Sequence, residues 1–116
     1  MADKIIRGTN NADNLSNDGD NVTILGLAGD DTITNYGDKV SISGGDDDDL
    51  IFNSGEGSTL RGGDGDDIVT NENNRVKILT GGGDDYIGST GDRVTITAGA
   101  GYDSISIDGK KKSARL

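Results

Sequence analysis

Apolar and polar positions along this chain recur with one fixed period. Aliphatic residues fall at Leu15, Ile33, Ile51, Val69, Ile87 and Ile105, each 18 residues after the last. A second column runs through Ile24, Ile42, Leu60, Ile78 and Ile96, and reaches back to Ile6. Two residues before it stand Val22, Val40, Ser58, Val76 and Val94. The V-x-I alternation has the period of a strand with one buried face. The first half of each row predicts a second strand, through the first aliphatic column. Glycine recurs every few residues and leaves no 3.6-residue stripe, so helix is not expected.

A repeat of this size cannot bury its apolar side alone, so neighbouring repeats must stack. Six rows fit without a gap, beginning at Gly8, Gly26, Gly44, Gly62, Thr80 and Ala98. The expected fold is an all-β parallel solenoid of about six flattened coils, each with two short strands and two turns. At ~4.8 Å per coil it would be a rod roughly 25 Å long. A lead-in strand is expected over 1–7, repeats over 8–109 and a basic tail over 110–116. There Lys110, Lys111 and Lys112 suit an open edge, since charge discourages further strand pairing.

The two turns differ in chemistry. One is glycine-rich, as in GGDGDD from Gly62. The other centres on the twelfth position, Gly19, Gly37, Gly55, Gly91 and Gly109, with Asn73 as the exception. Gly and Asn tolerate positive φ, which predicts a left-handed corner there. Just before it stand Asn17, Asn35, Asn53 and Asn71, then Ser89. Stacked asparagines predict a ladder of amide hydrogen bonds along the solenoid.

Composition narrows the partners. The chain has 116 residues, 21 acidic against 11 basic, for a net charge of -10. Such a balance disfavours nucleic acid, whose phosphates require Lys and Arg, and favours cations. No run approaches the length of a membrane-spanning helix, and the opening MADKII is not a cleavable signal peptide. With no His and no Cys, the usual nucleophile–base pairs are missing and catalysis is not expected.

The acidic residues are also ordered. The sixth position of every row is aspartate: Asp13, Asp31, Asp49, Asp67, Asp85 and Asp103. Stacking would place these carboxylates about one strand spacing apart, raising their pKa unless a positive group intervenes. A divalent cation between consecutive coils resolves the conflict, each aspartate serving two ions. Calcium fits: it takes six to eight oxygen ligands in flexible geometry, and no nitrogen or sulfur ligand is on offer. Up to about five ions would lie between six coils. The acidic residues of the third and fifth positions, Asp46, Asp64, Asp30, Asp48, Asp66 and Asp84, read as a solvated edge.

GGDGDDIVT resembles the nonapeptide GGxGxDxUx of the RTX calcium-binding β-roll family, with near matches in GLAGDDTIT, TGGGDDYIG and AGAGYDSIS. The resemblance implies a right-handed parallel β-roll, a secreted bacterial setting, and the aspartates at 31, 49, 67, 85 and 103 as side-chain ligands with loop carbonyls completing each site. The family usually carries this loop on both edges. Here the second half-row reads NYGDKVSIS, with Val40 in place of a second aspartate, so one column of ions on one edge is expected. The first row, GTNNAD, lacks the second and third glycines, which sets Asp13 apart. GGDDDD carries Asp47 in place of a glycine, which predicts a strained loop.

A binding scaffold is the competing reading, with calcium only structural or absent. Leu50, Phe52, Ile68 and Tyr86 face outward from three consecutive coils and would form one apolar patch for a protein partner. Lys39, Arg61, Arg75, Lys77 and Arg93 offer a seat for an anionic polysaccharide, which the roll modules of some alginate-modifying enzymes suggest by resemblance. Thr23, Ser41, Thr59 and Thr95 form a hydroxyl row of the kind that meets ice, but Lys77 interrupts it.

Overall fold

The computed structural model describes residues 4–109 and 113–115. All described secondary structure is β, arranged as 13 short strands with no helix among the described residues. Odd-numbered strands form one sheet: β1 (Lys4–Arg7), β3 (Val22–Leu25), β5 (Ser41–Gly45), β7 (Thr59–Gly63), β9 (Lys77–Leu79), β11 (Thr95–Thr97) and β13 (Ser113–Arg115). Even-numbered strands form the other: β2 (Asn14–Asn17), β4 (Thr32–Asn35), β6 (Leu50–Asn53), β8 (Ile68–Asn71), β10 (Tyr86–Ser89) and β12 (Ser104–Ile107). Every pairing is parallel, and partners are 18 residues apart, as in Ile33↔Ile51 and Ile42↔Leu60. The chain is a parallel β-solenoid of about six coils.

The aliphatic columns make the core. Ile33, Ile51, Val69 and Ile87 on one sheet face Ile24, Ile42, Leu60, Ile78 and Ile96 on the other, all fully buried. Val22, Val40, Val76 and Val94 close the space between them. Ser58 breaks that valine column, and its hydroxyl is satisfied by the Val40 N–H at 3.2 Å. The molecule measures 32 × 30 × 17 Å, a slab of flattened coils rather than the rod expected.

The lead-in strand is present as β1, with Ile6 opposite Ile24; Met1 to Asp3 lie outside the described residues. At the other end the tail returns to the stack, since β13 pairs with β11 and places Ala114 beside Ile96. Lys110 to Lys112, expected as edge guards, also lie outside the described residues.

The asparagine ladder is complete. Nδ2 of Asn17, Asn35 and Asn53 donates to Oδ1 of the next asparagine at 2.8 Å, and Asn71 ends the ladder on Ser89 Oγ at 3.1 Å. The second amide hydrogen goes to the carbonyl two residues on, and Oδ1 takes the N–H of that same residue, as between Asn53 and Gly55. Ile107 takes the next place and terminates the polar column. The positive φ expected at the twelfth position is found there on Gly109 (φ 148°); in the coils before it the left-handed residue is the fourteenth, Asn21, Lys39, Gly57, Arg75 and Arg93. Glycine is needed at the twelfth for a different reason. A Cβ on Gly55 would collide with the Gly37 carbonyl of the coil below.

Candidate metal column

The glycine-rich turns stack along one edge of the slab. Their second and fourth residues are left-handed, as in Gly63 (φ 100°), Gly65 (φ 103°), Gly81 (φ 89°) and Gly83 (φ 97°). Two non-glycine residues accept the same conformation, Leu27 (φ 74°) and Asp47 (φ 73°). The strain read from Asp47 in the sequence is therefore present, and Leu27 shares it, at about 1–2 kcal/mol for a left-handed L-residue. This alternation turns the backbone inward at the sixth residue and delivers each aspartate into the interior.

Asp31, Asp49, Asp67 and Asp85 are buried, and Asp103 partly so. Each sends Oδ1 to the backbone N–H of the aspartate one coil earlier: Asp31 to Asp13, Asp49 to Asp31, Asp67 to Asp49, Asp85 to Asp67 and Asp103 to Asp85, all at 2.8–2.9 Å. Sequence reading missed this half of the arrangement, which makes the column a ladder. The other oxygen, Oδ2, is buried in all five and has no hydrogen-bond partner. It lies against the first residue of its own coil. A Cβ on Gly26 or Gly62 would sit 2.5 Å from it, with the first carbonyl of the next coil 2.6 Å and 3.1 Å from the same point. Glycine at the first position thus makes room for a carboxylate. Thr80 and Ala98 depart from that rule, and Thr80 Oγ1 donates to the Ala98 carbonyl at 2.9 Å.

A buried carboxyl oxygen without a hydrogen-bond partner, close to the first carbonyl of the next coil, defines the electrostatics here. Burial, the largest cause, raises Asp31 and Asp85 above the usual carboxylate range, and pushes Asp49 to about 7 and Asp67 to about 8. The backbone N–H to Oδ1 opposes the rise, and neighbouring aspartates add to it. No described Lys or Arg pairs with the column. Asp13 stands apart, since both its oxygens are met by the Thr9 hydroxyl at 3.0–3.1 Å and Oδ2 also by the Thr9 N–H at 2.5 Å.

Orphaned buried oxygens and inward-turned loops fit a hard cation. Among the described residues no three acidic side chains converge on one point. Side-chain ligation between coils is therefore limited to successive aspartates, with backbone oxygens as the remaining donors. The outer acids are exposed and form their own ladder, Asp66 N–H to Asp48 Oδ1 and Asp84 N–H to Asp66 Oδ1 at 2.7 Å.

The basic residues grouped in the sequence divide into two places. Arg61 and Lys77 lie on the odd-strand sheet. Lys39, Arg75 and Arg93 hold the far corner, where Arg75 meets Glu56 at 2.7 Å and lines a cleft of about 230 Å³ with Asn74, Asp92 and Arg93. Leu50, Ile68 and Tyr86 are exposed on adjacent even strands, while Phe52 is half-buried with its ring 6.2 Å from that of Tyr36.

Fold and column together define a β-solenoid with an interior acidic ladder. Comparison with family models, curated proteins and solved structures finds no match for this chain.

Proposed function

We propose that this solenoid is a calcium-binding structural module of the RTX type, stabilised by ions held in one column between successive glycine-rich turns. The contrast between its two edges supports the reading. One edge uses asparagine and satisfies every amide hydrogen and oxygen. The other uses aspartate in the equivalent ladder and leaves one buried carboxyl oxygen in each of five coils without a hydrogen-bond partner. An asparagine would have supplied that donor. Retaining the carboxylate suits a ligand that brings positive charge, because an uncompensated buried anion is costly.

Asp31, Asp49, Asp67, Asp85 and Asp103 would supply the carboxylate oxygens, with loop carbonyls as further ligands. Asp13, already met by Thr9, would contribute least. The ion would supply charge neutralisation, and binding of order 10⁻⁴–10⁻³ M is typical of extracellular modules. Such affinity would leave the module loose in a low-calcium cytoplasm and stiff after export, consistent with a secreted role.

The deciding measurement is far-UV circular dichroism and thermal melting during a calcium titration from chelator to ~10 mM, with magnesium as control. A rise in β signal or melting temperature with calcium alone is expected. An identical melt in chelator and in calcium would overturn the proposal.

A further inference from the structure

Charge is segregated on this molecule by element. Of 116 residues 32 are charged, yet among the described residues no strand contains an acidic one. Strand cations occur only in the odd-strand sheet, at Lys4, Arg7, Arg61, Lys77 and Arg115. The even strands, NLSN, TITN, LIFN, IVTN, YIGS and SISI, contain no charged residue at all. The outward columns of that sheet put Leu50, Ile68 and Tyr86 side by side in register, 44%, 46% and 50% exposed. An uncharged face with an apolar centre therefore lies between the acidic glycine-rich edge and the far corner, where Lys39, Arg75 and Arg93 stand among acids.

The charge map selects the occupant. Two copies of a chain with net charge -10 repel overall, and most of all where their glycine-rich turns approach. Apposed odd-strand faces would bring cation to cation. Among symmetric face-to-face contacts, the even-strand face is the one on which two copies meet without like charges in contact, whereas a cationic partner would be drawn to the acidic glycine-rich edge. We propose that this face is a homotypic interface, on which a second copy of the chain packs sheet against sheet around Leu50, Ile68 and Tyr86. Six strands ~4.8 Å apart and four residues of ~3.3 Å make a face of roughly 300–400 Å². A standard interface takes about 800 Å² per partner, so the pairing is weak and exchanging. It does not depend on the calcium reading.

Sedimentation equilibrium of the full chain tests it, from ~20 μM to ~1 mM, in chelator and separately in calcium. The average mass of the wild type should rise with concentration, and rise further in ~0.5 M salt as net repulsion is screened. Ile68→Lys should remain monomeric with an unchanged melt, since the side chain points outward. Ile68→Thr, which keeps β propensity, should weaken association at least threefold and serves if the lysine variant fails to fold. Lys77→Glu, on the opposite sheet, should associate like the wild type. A wild type that stays monomeric under every condition in which it is folded overturns the proposal. So does association that survives Ile68→Thr unchanged, or that weakens with salt. Because melting is read separately with and without calcium, loss of the calcium response leaves this result standing.

Discussion

Replacing Asp67 with asparagine changes one oxygen to an amide nitrogen in the middle of the ladder, and should reverse sign with calcium. Oδ1 still accepts the Asp49 N–H, made at 2.8–2.9 Å along the column. The unpartnered Oδ2 becomes a donor, and the Thr80 carbonyl lies on the same side, 3.1 Å from the point a Gly62 Cβ would occupy. The Asp67 carboxyl is pushed up to about 8 by burial, from 3.8. Folding at pH 7 must therefore add a proton, at about 1.4 kcal/mol for each pH unit above the unfolded value, or about 4 kcal/mol. Asparagine avoids that cost. In chelator at pH 7, Asp67→Asn should be more stable than wild type by about 2–4 kcal/mol, a rise of roughly 10 °C or more in melting temperature. Near pH 4 the advantage should shrink to well below about 1 kcal/mol, because the wild-type carboxyl is protonated when folded and already about two-fifths protonated when unfolded. In saturating calcium the order should invert, since the variant loses a ligand to the ions on either side. Thermal melts at pH 4 and 7, each with chelator and with calcium, give the full comparison. A variant less stable than wild type in chelator at pH 7 would refute the electrostatic account of the column. An undiminished calcium response would remove Asp67 from the ligands.

The same carboxylates set the pH profile. Asp49 and Asp67 have folded values of about 7 and 8 against 3.8, so the folded state holds more protons. Stability in chelator should be greatest below about pH 4 and fall as pH rises to about 8, while calcium should flatten or invert the slope; urea denaturation at four pH values checks this. Asn53→Ala removes four hydrogen bonds to Asn35, Asn71 and Gly55 and strands their buried partners, so a loss of about 3–4 kcal/mol is expected by chemical denaturation. Leu27→Gly relieves a left-handed leucine at φ 74°; after the entropy of glycine is counted, a gain of about 0.5–1 kcal/mol should appear in the same assay.

Most of the architecture was legible from the amino acids alone. An 18-residue period with aliphatics at fixed places dictates stacked coils, because each row has an apolar side that only its neighbours can cover. Columns of identical residues then fix the register, so Ile33 meets Ile51 and Asn35 meets Asn53. The amide ladder follows, since asparagine carries both a donor and an acceptor. The aspartate column could be found the same way, but its geometry could not. Which oxygen meets the backbone and which is left bare depends on φ at the second and fourth positions and on room beside the first. Glycine is compatible with several roles. At position twelve it avoids a neighbouring carbonyl, at position one it admits a carboxylate, and at two and four it supplies positive φ. Coil, period and the chemistry of each column thus follow from the residues in their order. Which contact makes each glycine necessary, where Asp13 finds its donor, how the tail rejoins the sheet, and that one described face carries no charge all emerge only once the coils are stacked. Those features arise between residues 18 apart or on opposite sheets, where stacking geometry rather than local pattern sets the contact.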